Sequence, residues 1–204
     1  MWWNDLNHIE SEILKLSDRK NNFSELTSKN ILIDESLGPI IIGHNTIICE
    51  NVTLKGPIYI GNNCLIGNNC FIRSNTFIND NVKVGFSTEI KNSIIENDVC
   101  IGPQCFVADS IIKQYAYLGA QVRTSNHRLD KKNISVIINE KLIDTGKEKL
   151  GCYIGENSSL GVQVVILPGR VVPENSLFGP KIIIEKNFSS GRYLLNQSIS
   201  KLQD

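Results

Sequence analysis

From Ile42 to about Ile184 an aliphatic residue opens almost every sixth position. Neither an α-helix, with about 3.6 residues per turn, nor a strand, whose side chains alternate between two faces, produces that spacing. One run reads IGHNTI (42–47), ICENVT (48–53), LKGPIY (54–59), IGNNCL (60–65), IGNNCF (66–71), IRSNTF (72–77), INDNVK (78–83) and VGFSTE (84–89). IENDVC (95–100), IGPQCF (101–106), IKQYAY (112–117) and LGAQVR (118–123) continue it. After an interruption come IGENSS (154–159), LGVQVV (160–165), ILPGRV (166–171), VPENSL (172–177) and FGPKII (178–183). A fixed period over this length identifies a repeat architecture and constrains the fold before any other feature.

Each hexad opens on an aliphatic residue and carries a small or β-branched residue at its fifth position, such as Val52, Cys64, Cys70, Thr76, Val82, Thr88, Val99, Cys105 and Ala116. Those two positions are expected to face inward. Gly, Asn and Asp lie between them, residues that tolerate positive φ and bond their own backbone, as tight corners require. Three short strands and three corners then close one triangular coil of roughly eighteen residues, and coils stack at about 4.8 Å. About five such coils are expected before residue 124 and about two after residue 150. A β-sandwich would instead place its turn signals every 8–12 residues or so.

A coil stack leaves an open strand edge at each end, which favours aggregation unless it is covered. Residues 3–17 carry Leu6, Ile9, Ile13, Leu14 and Leu16 at helical spacing with Glu10 and Glu12 outward, and Phe23–Leu26 fit one further turn. Leu194, Leu195, Ile199 and Leu202 share one face of a second short helix over 193–202. The expected division is an N-terminal helical cap (1–36), a β-helix (37–185) interrupted by a loop (124–150), and a C-terminal helical tail (186–204).

Among the 204 residues, 21 basic side chains balance 21 acidic ones, so no net field attracts nucleic acid. No apolar run reaches the roughly 18–20 residues of a membrane span, and the N-terminal MWWNDLNHIESE lacks the charged-then-apolar layout of a signal peptide, so a cytoplasmic location is expected. The six cysteines form no CxxC, and Cys64, Cys70 and Cys105 share the inward fifth position. All six are expected to be reduced thiols, several of them small hydrophobes of the core, with no metal bound. Three histidines far apart along the chain, His8, His44 and His127, do not make a metal triad.

The repeat breaks at length between Arg123 and Leu150. Insertions on one face of a solenoid are where function concentrates. Ile134–Ile138 and Lys141–Asp144 predict a hairpin turning at Asn139-Glu140. Arg123, Arg128, Lys131, Lys132, Lys147 and Lys149 in and around the insertion suggest capture of an anion such as phosphate.

VGFSTEIKNSII (84–95), YLGAQVRTSNHRLDKKNISV (117–136) and DTGKEKLGCYIGENSSLGVQVVILPG (144–169) resemble the left-handed β-helix tail of sugar-1-phosphate nucleotidyltransferases. That group includes the acetyltransferase domain of bifunctional N-acetylglucosamine-1-phosphate uridyltransferase/glucosamine-1-phosphate acetyltransferase. The resemblance covers about residues 40–185, with V-G-x-x-x-E-I-K and K-L-G-x-x-I-G as its most specific elements. It implies a left-handed parallel β-helix, a homotrimer with its site in the cleft between subunits, and acetyl-CoA as donor. The nucleotidyltransferase domain has no counterpart in the first forty residues, so acyl transfer is the activity expected.

Carried across by the resemblance, the arginine and lysine that hold the sugar phosphate fall on Arg73 and Lys91, eighteen residues and therefore one coil apart. The sugar-site asparagine falls on Asn126 and a loop lysine falls near Lys132, with Arg128 beside them. Small residues near the thioester fall on Val162 and Pro180. The catalytic histidine falls on Pro103, which moves no proton, while a sugar-site tyrosine becomes Phe106 and a catalytic asparagine Tyr117. His127, beside Asn126, is the alternative base, since an ordinary imidazole titrates near neutral pH. Two readings follow: an acyltransferase acting on a sugar phosphate or nucleotide sugar, or a non-catalytic sugar-phosphate binder or trimeric scaffold that has lost its base.

Overall fold

The computed structural model describes residues 1–16 and 30–198. The repeat closes into a parallel β-helix with three faces. The first face has eight strands, from Leu32–Asp34 through Thr53–Lys55, Phe71–Ile72, Glu89–Lys91, Phe106–Ala108, Arg123–Thr124 and Val165–Ile166 to Ile183–Ile184. The second has seven, from Ile40–Ile42 to Val171–Val172, and the third eight, from Ile47–Ile48 to Arg192–Tyr193. The chain turns a first corner between the first and second faces, a second between the second and third, and a third on returning to the first.

The inward positions are those the period predicts. Ile48, Leu54, Ile60, Ile66, Ile72, Ile78 and Val84 at hexad position one are buried, as are Val52, Cys64, Cys70, Val82, Val99, Cys105 and Ala116 at position five. Position four takes the left-handed conformation at corner after corner, Pro57 excepted: Asn45, Asn63, Asn69 and Asn81 lie at φ between 55° and 62°. Gln104, Tyr115, Gln163 and Lys181 adopt it too, at φ of 57°, 59°, 61° and 62°. The stacked coil therefore imposes this geometry on side chains that do not favour it.

Three expectations are corrected. The stack begins earlier and ends later than residues 37–185: Leu32–Asp34 pairs with Thr53–Lys55, and the six first-face strands that precede the insertion bound the five coils expected there. Arg192–Tyr193 adds a last strand to the third face. Residues 194–198 carry no helix, and 199–202 of the expected C-terminal helix lie outside the described residues, as do Phe23–Leu26. Backbone ladder bonds at the stack's end outweigh the weak helical periodicity of this segment.

The N-terminal expectation holds for local structure and fails for placement. Trp2–His8 form a 3-10 helix and Ile9–Lys15 an α-helix, but they do not close an end of the stack. Trp3, Leu6, Ile9 and Ile13 pack across the outer side of the second face, against Ile41, Tyr59, Phe77, Ile94 and Ile111. That face carries large apolar side chains outward, so it offers more surface to bury than a strand edge does. None of the described helices is long and apolar enough to cross a membrane.

All six cysteines are unpaired: Cys64, Cys70, Cys105 and Cys152 are buried, while Cys49 and Cys100 are partly exposed. Burial pushes the Cys70 and Cys105 thiols up to about 11 and that of Cys152 up to about 12. Nucleophilic attack requires thiolate, so these groups are inert near neutrality. Thiol titration of the native protein at pH 8 with Ellman's reagent is expected to modify Cys49 and Cys100 alone. The buried four should react only on unfolding, and rapid modification of Cys105 or Cys152 in the folded chain would contradict the packing described.

Candidate functional site

The first corner carries a column of cations. The register sets Thr53 beside Phe71 beside Glu89, which brings Lys55, Arg73 and Lys91, each at hexad position two, onto successive coils of one edge. Arg73 Nη1 donates to Glu89 Oε1 at 2.8 Å, and its guanidinium lies 5.6 Å above the centre of the Phe71 ring. Lys91 Nζ donates to Asp109 Oδ2 at 3.0 Å. Both phosphate-clamp cations expected from the sequence are thus present on one edge, each held against a carboxylate.

Asp109 organises this edge. Its side chain is 6% exposed, its backbone is left-handed (φ 52°), and its carboxylate also accepts from Asn92 Nδ2 at 2.6 Å and Asn126 Nδ2 at 2.5 Å. One carboxylate thereby joins a strand end, a corner and the inserted loop. Buried charge is tolerated when it is paired and fully hydrogen-bonded, as here. Gly151, the glycine of the K-L-G element, donates its amide to Asp109 O at 2.8 Å, and a Cβ there would lie 2.1 Å from Ala108 O. Only glycine lets the returning chain pass so close.

The insertion is a closed structure. Ser135–Ile138 and Lys141–Asp144 form the expected antiparallel hairpin, with Asn139 and Glu140 both at positive φ. Its neck closes where Leu150 N–H donates to Asn126 O at 3.0 Å and His127 bridges to Lys149. Ile134, Val136 and Leu150 join the apolar cluster of Trp3 and Leu6, and Lys147 Nζ donates to Asn7 Oδ1 at 2.6 Å. The hairpin and the N-terminal helices therefore brace each other.

A cleft of about 470 Å³ results, lined by Arg73, Lys91, Phe106, Asn126, His127 and Lys149. It gathers five of the residues expected from the sequence: Arg73, Lys91, Asn126, His127 and Lys149. Arg128 and Lys132 are turned elsewhere. Arg128 grips Asp130 through Nε at 2.8 Å and Nη2 at 2.6 Å, which holds that carboxyl well below the usual carboxylate range. With Lys131 and Lys132 it lines a cleft of about 530 Å³ toward Asp144, and with His127 and Arg170 another of about 570 Å³. Arg123 donates to the Gln104 carbonyl. The basic cluster read from the sequence is thus divided: Arg128, Lys131 and Lys132 share one cleft, Lys149 lines another, and Arg123 and Lys147 bond the Gln104 carbonyl and Asn7.

Val162 and Pro180 sit on the third corner, exposed, in line with Pro103: the Gly119 position abuts the Val162 amide and the Gly161 position that of Pro180, as Gly85 abuts Pro103. That corner lies across the first face from Arg73 and Lys91. Phe106 lies between the two corners, while Tyr117 stands on the third face. Sequence reasoning missed Asp109 and Glu89, and read Lys149 only as one of a basic cluster. Glu89 and Lys149 stand inside the two specific motifs, and Asp109 follows Lys91 by the same eighteen residues that separate Lys91 from Arg73.

The three-faced coil of six-residue units is the hexapeptide-repeat β-helix. The family described as GMPPB C-terminal domain matches residues 54–147. The uncharacterized acetyltransferase YaiX of Escherichia coli O6:K15:H31 is 50% identical over 210 residues, covering 100% of this chain and 90% of that protein. The bifunctional protein GlmU of Methanocaldococcus jannaschii is 34% identical over 111 residues, 54% of this chain and 27% of its own length. Among solved structures, the BC4754 gene product of Bacillus cereus superposes with a TM-score of 0.55 at 23% identity, over 72% of this chain and 76% of that one. The chain belongs to the YaiX family of hexapeptide-repeat acetyltransferases.

Truncating Asp109 strands a largely buried ammonium and two amides. Asp109→Ala is expected to lower the unfolding free energy by about 3 kcal/mol. Arg128→Ala, whose pair is 43% exposed on each side and screened by solvent, is expected to cost far less. Urea denaturation of both variants measures the difference, and equal losses would contradict the central role of Asp109.

Proposed function

We propose that this protein is an acyltransferase that moves an acetyl group from acetyl-CoA to a sugar phosphate or nucleotide sugar, working in the cytoplasm as a homotrimer with its site between subunits. The observation that carries this reading is the convergence of Arg73, Lys91, Asn126 and His127 on one cleft beside Phe106. Arg73 and Lys91 bind the phosphate by exchanging part of their hold on Glu89 and Asp109 for a more highly charged acceptor. The sugar ring lies along Phe106, and Asn126, fixed by Asp109, bonds a ring substituent.

An acceptor amine or hydroxyl then attacks the thioester carbonyl carbon while His127 takes its proton. The carbon–sulfur bond breaks, and the leaving thiolate recovers a proton. Val162 and Pro180 do not share the His127 cleft within one chain. A neighbouring subunit presenting its third corner to this first face would bring donor and acceptor together, which supports the trimeric arrangement.

A second reading, a sugar-phosphate binder without turnover, is favoured by Pro103 at the position to which the family's base aligns, with the Arg123 guanidinium bonded to the adjacent Gln104 carbonyl. The two are separated by assaying acetyl transfer from acetyl-CoA to a panel of amino-sugar phosphates and nucleotide sugars. Turnover is expected, with His127→Ala reducing kcat/KM by about 10²-fold or more. Undiminished activity in H127A would remove His127 as base. No turnover on any acceptor, together with no CoA binding by calorimetry, would overturn the acyltransferase reading and leave the binder.

A further inference from the structure

The cleft that holds Arg73 and Lys91 does not end at Arg73. A second cleft of about 390 Å³ runs on along the first corner, lined by Leu37, Lys55, Phe71, Arg73, Ser74, Lys91 and Asn92. Because the two share Arg73 and Lys91, they form one groove. Along it Lys55, Arg73 and Lys91 succeed one another at the coil spacing of about 4.8 Å, so the column spans about 10 Å. A single phosphate bridging Arg73 and Lys91 leaves Lys55 one coil away.

Lys55 is also the cation least committed to the protein. Its carboxylate neighbour, Asp34, stands 3.6 Å away, beyond hydrogen-bond distance, and Asp34 Oδ1 already accepts from the Ser36 amide at 2.9 Å. Arg73 and Lys91, by contrast, are hydrogen-bonded to their acids at 2.8 and 3.0 Å. On either side of Lys55 the groove lining is apolar, with Leu37 60% exposed on one side and the Phe71 ring, under the Arg73 guanidinium, on the other.

We propose that the groove takes a sugar linked to a nucleoside diphosphate: sugar against Phe106 and Asn126, one phosphate on Lys91 and Arg73, the second between Arg73 and Lys55, and the nucleoside on Leu37 and Phe71. This rests on the sugar-phosphate reading above and narrows it, since a sugar 1-phosphate leaves Lys55 and Leu37 unused. Diphosphate recognition needs cations spaced along a line, which the ladder supplies on this edge once per coil, at position two of every third hexad.

Calorimetry on the full chain tests it, with a UDP-sugar and a dTDP-sugar compared with the matching sugar 1-phosphate, and pyrophosphate compared with phosphate as minimal probes. The diphosphate ligands are expected to bind the unsubstituted protein more tightly. Lys55→Ala is expected to weaken them about tenfold, the loss of one charge-assisted contact, and to leave the monophosphate ligands within about twofold. Arg73→Ala is expected to weaken both classes. Lys55→Gln, which keeps the side-chain length, should behave as Lys55→Ala does, and an unchanged melting temperature shows that the fold is intact. Equal losses for both classes in K55A, or diphosphates binding no tighter than monophosphates, overturn the proposal. Should sugar 1-phosphates alone bind and depend on Arg73, the sugar-phosphate reading stands and this narrowing fails. Should neither class bind, both fail.

Discussion

Coil is tied to coil by backbone amides that donate to carbonyls on the following coil. Down the third corner the run is Gly67 to Val84, Gly85 to Ile101, Gly102 to Leu118, Gly119 to Leu160, Gly161 to Phe178 and Gly179 to Tyr193, each at 2.7 or 2.8 Å. These bonds fix register, and register turns every hexad position into a column. Columns of Ile, Leu and Val fill the interior. The same constraint makes Lys55, Arg73 and Lys91 neighbours on successive coils.

Register also survives the insertion. The chain leaves the first face at Arg123–Thr124 and the stack resumes with Tyr153 beside Ile111, Ser159 beside Tyr117 and Val165 beside Arg123. The inserted segment can therefore carry function without disturbing the core, as long as its neck is closed. The Asn126–Leu150 bond, the His127–Lys149 bridge and the Asn126 contact to Asp109 close it, and they set His127 at the cleft. The hairpin and N-terminal helices then share one apolar cluster over the second face, which makes the loop a braced wall.

The sequence made legible whatever depends on period. Coil geometry, inward columns, the hairpin with its Asn139-Glu140 turn, and the one-coil spacing of Arg73 and Lys91 all follow from counting residues. What depends on competition between surfaces was less legible. The N-terminal helix is amphipathic in sequence, but periodicity does not say whether it covers a strand edge or a broad apolar face. Arg128 and Lys132 look like anion ligands until Asp130 captures the first and the loop's path turns the second toward Asp144. Asp109 escaped notice because a lone acid at a corner reads as a turn residue, and its three donors come from segments up to eighteen residues away. The terminal strands at 32–34 and 192–193 lie outside the clear repeat and exist because the growing edge templates them.

The account turns on the claim that the first corner, with its ladder of cations, is where substrate binds. A crystal structure of the protein soaked with a UDP-sugar and acetyl-CoA tests this most directly. The account predicts phosphate density within hydrogen-bond reach of both Arg73 and Lys91, with the sugar over Phe106 and within the hairpin neck at Asn126. Nucleotide density at the Arg128–Lys132 cleft or on the third corner, with the first corner unliganded, would contradict it.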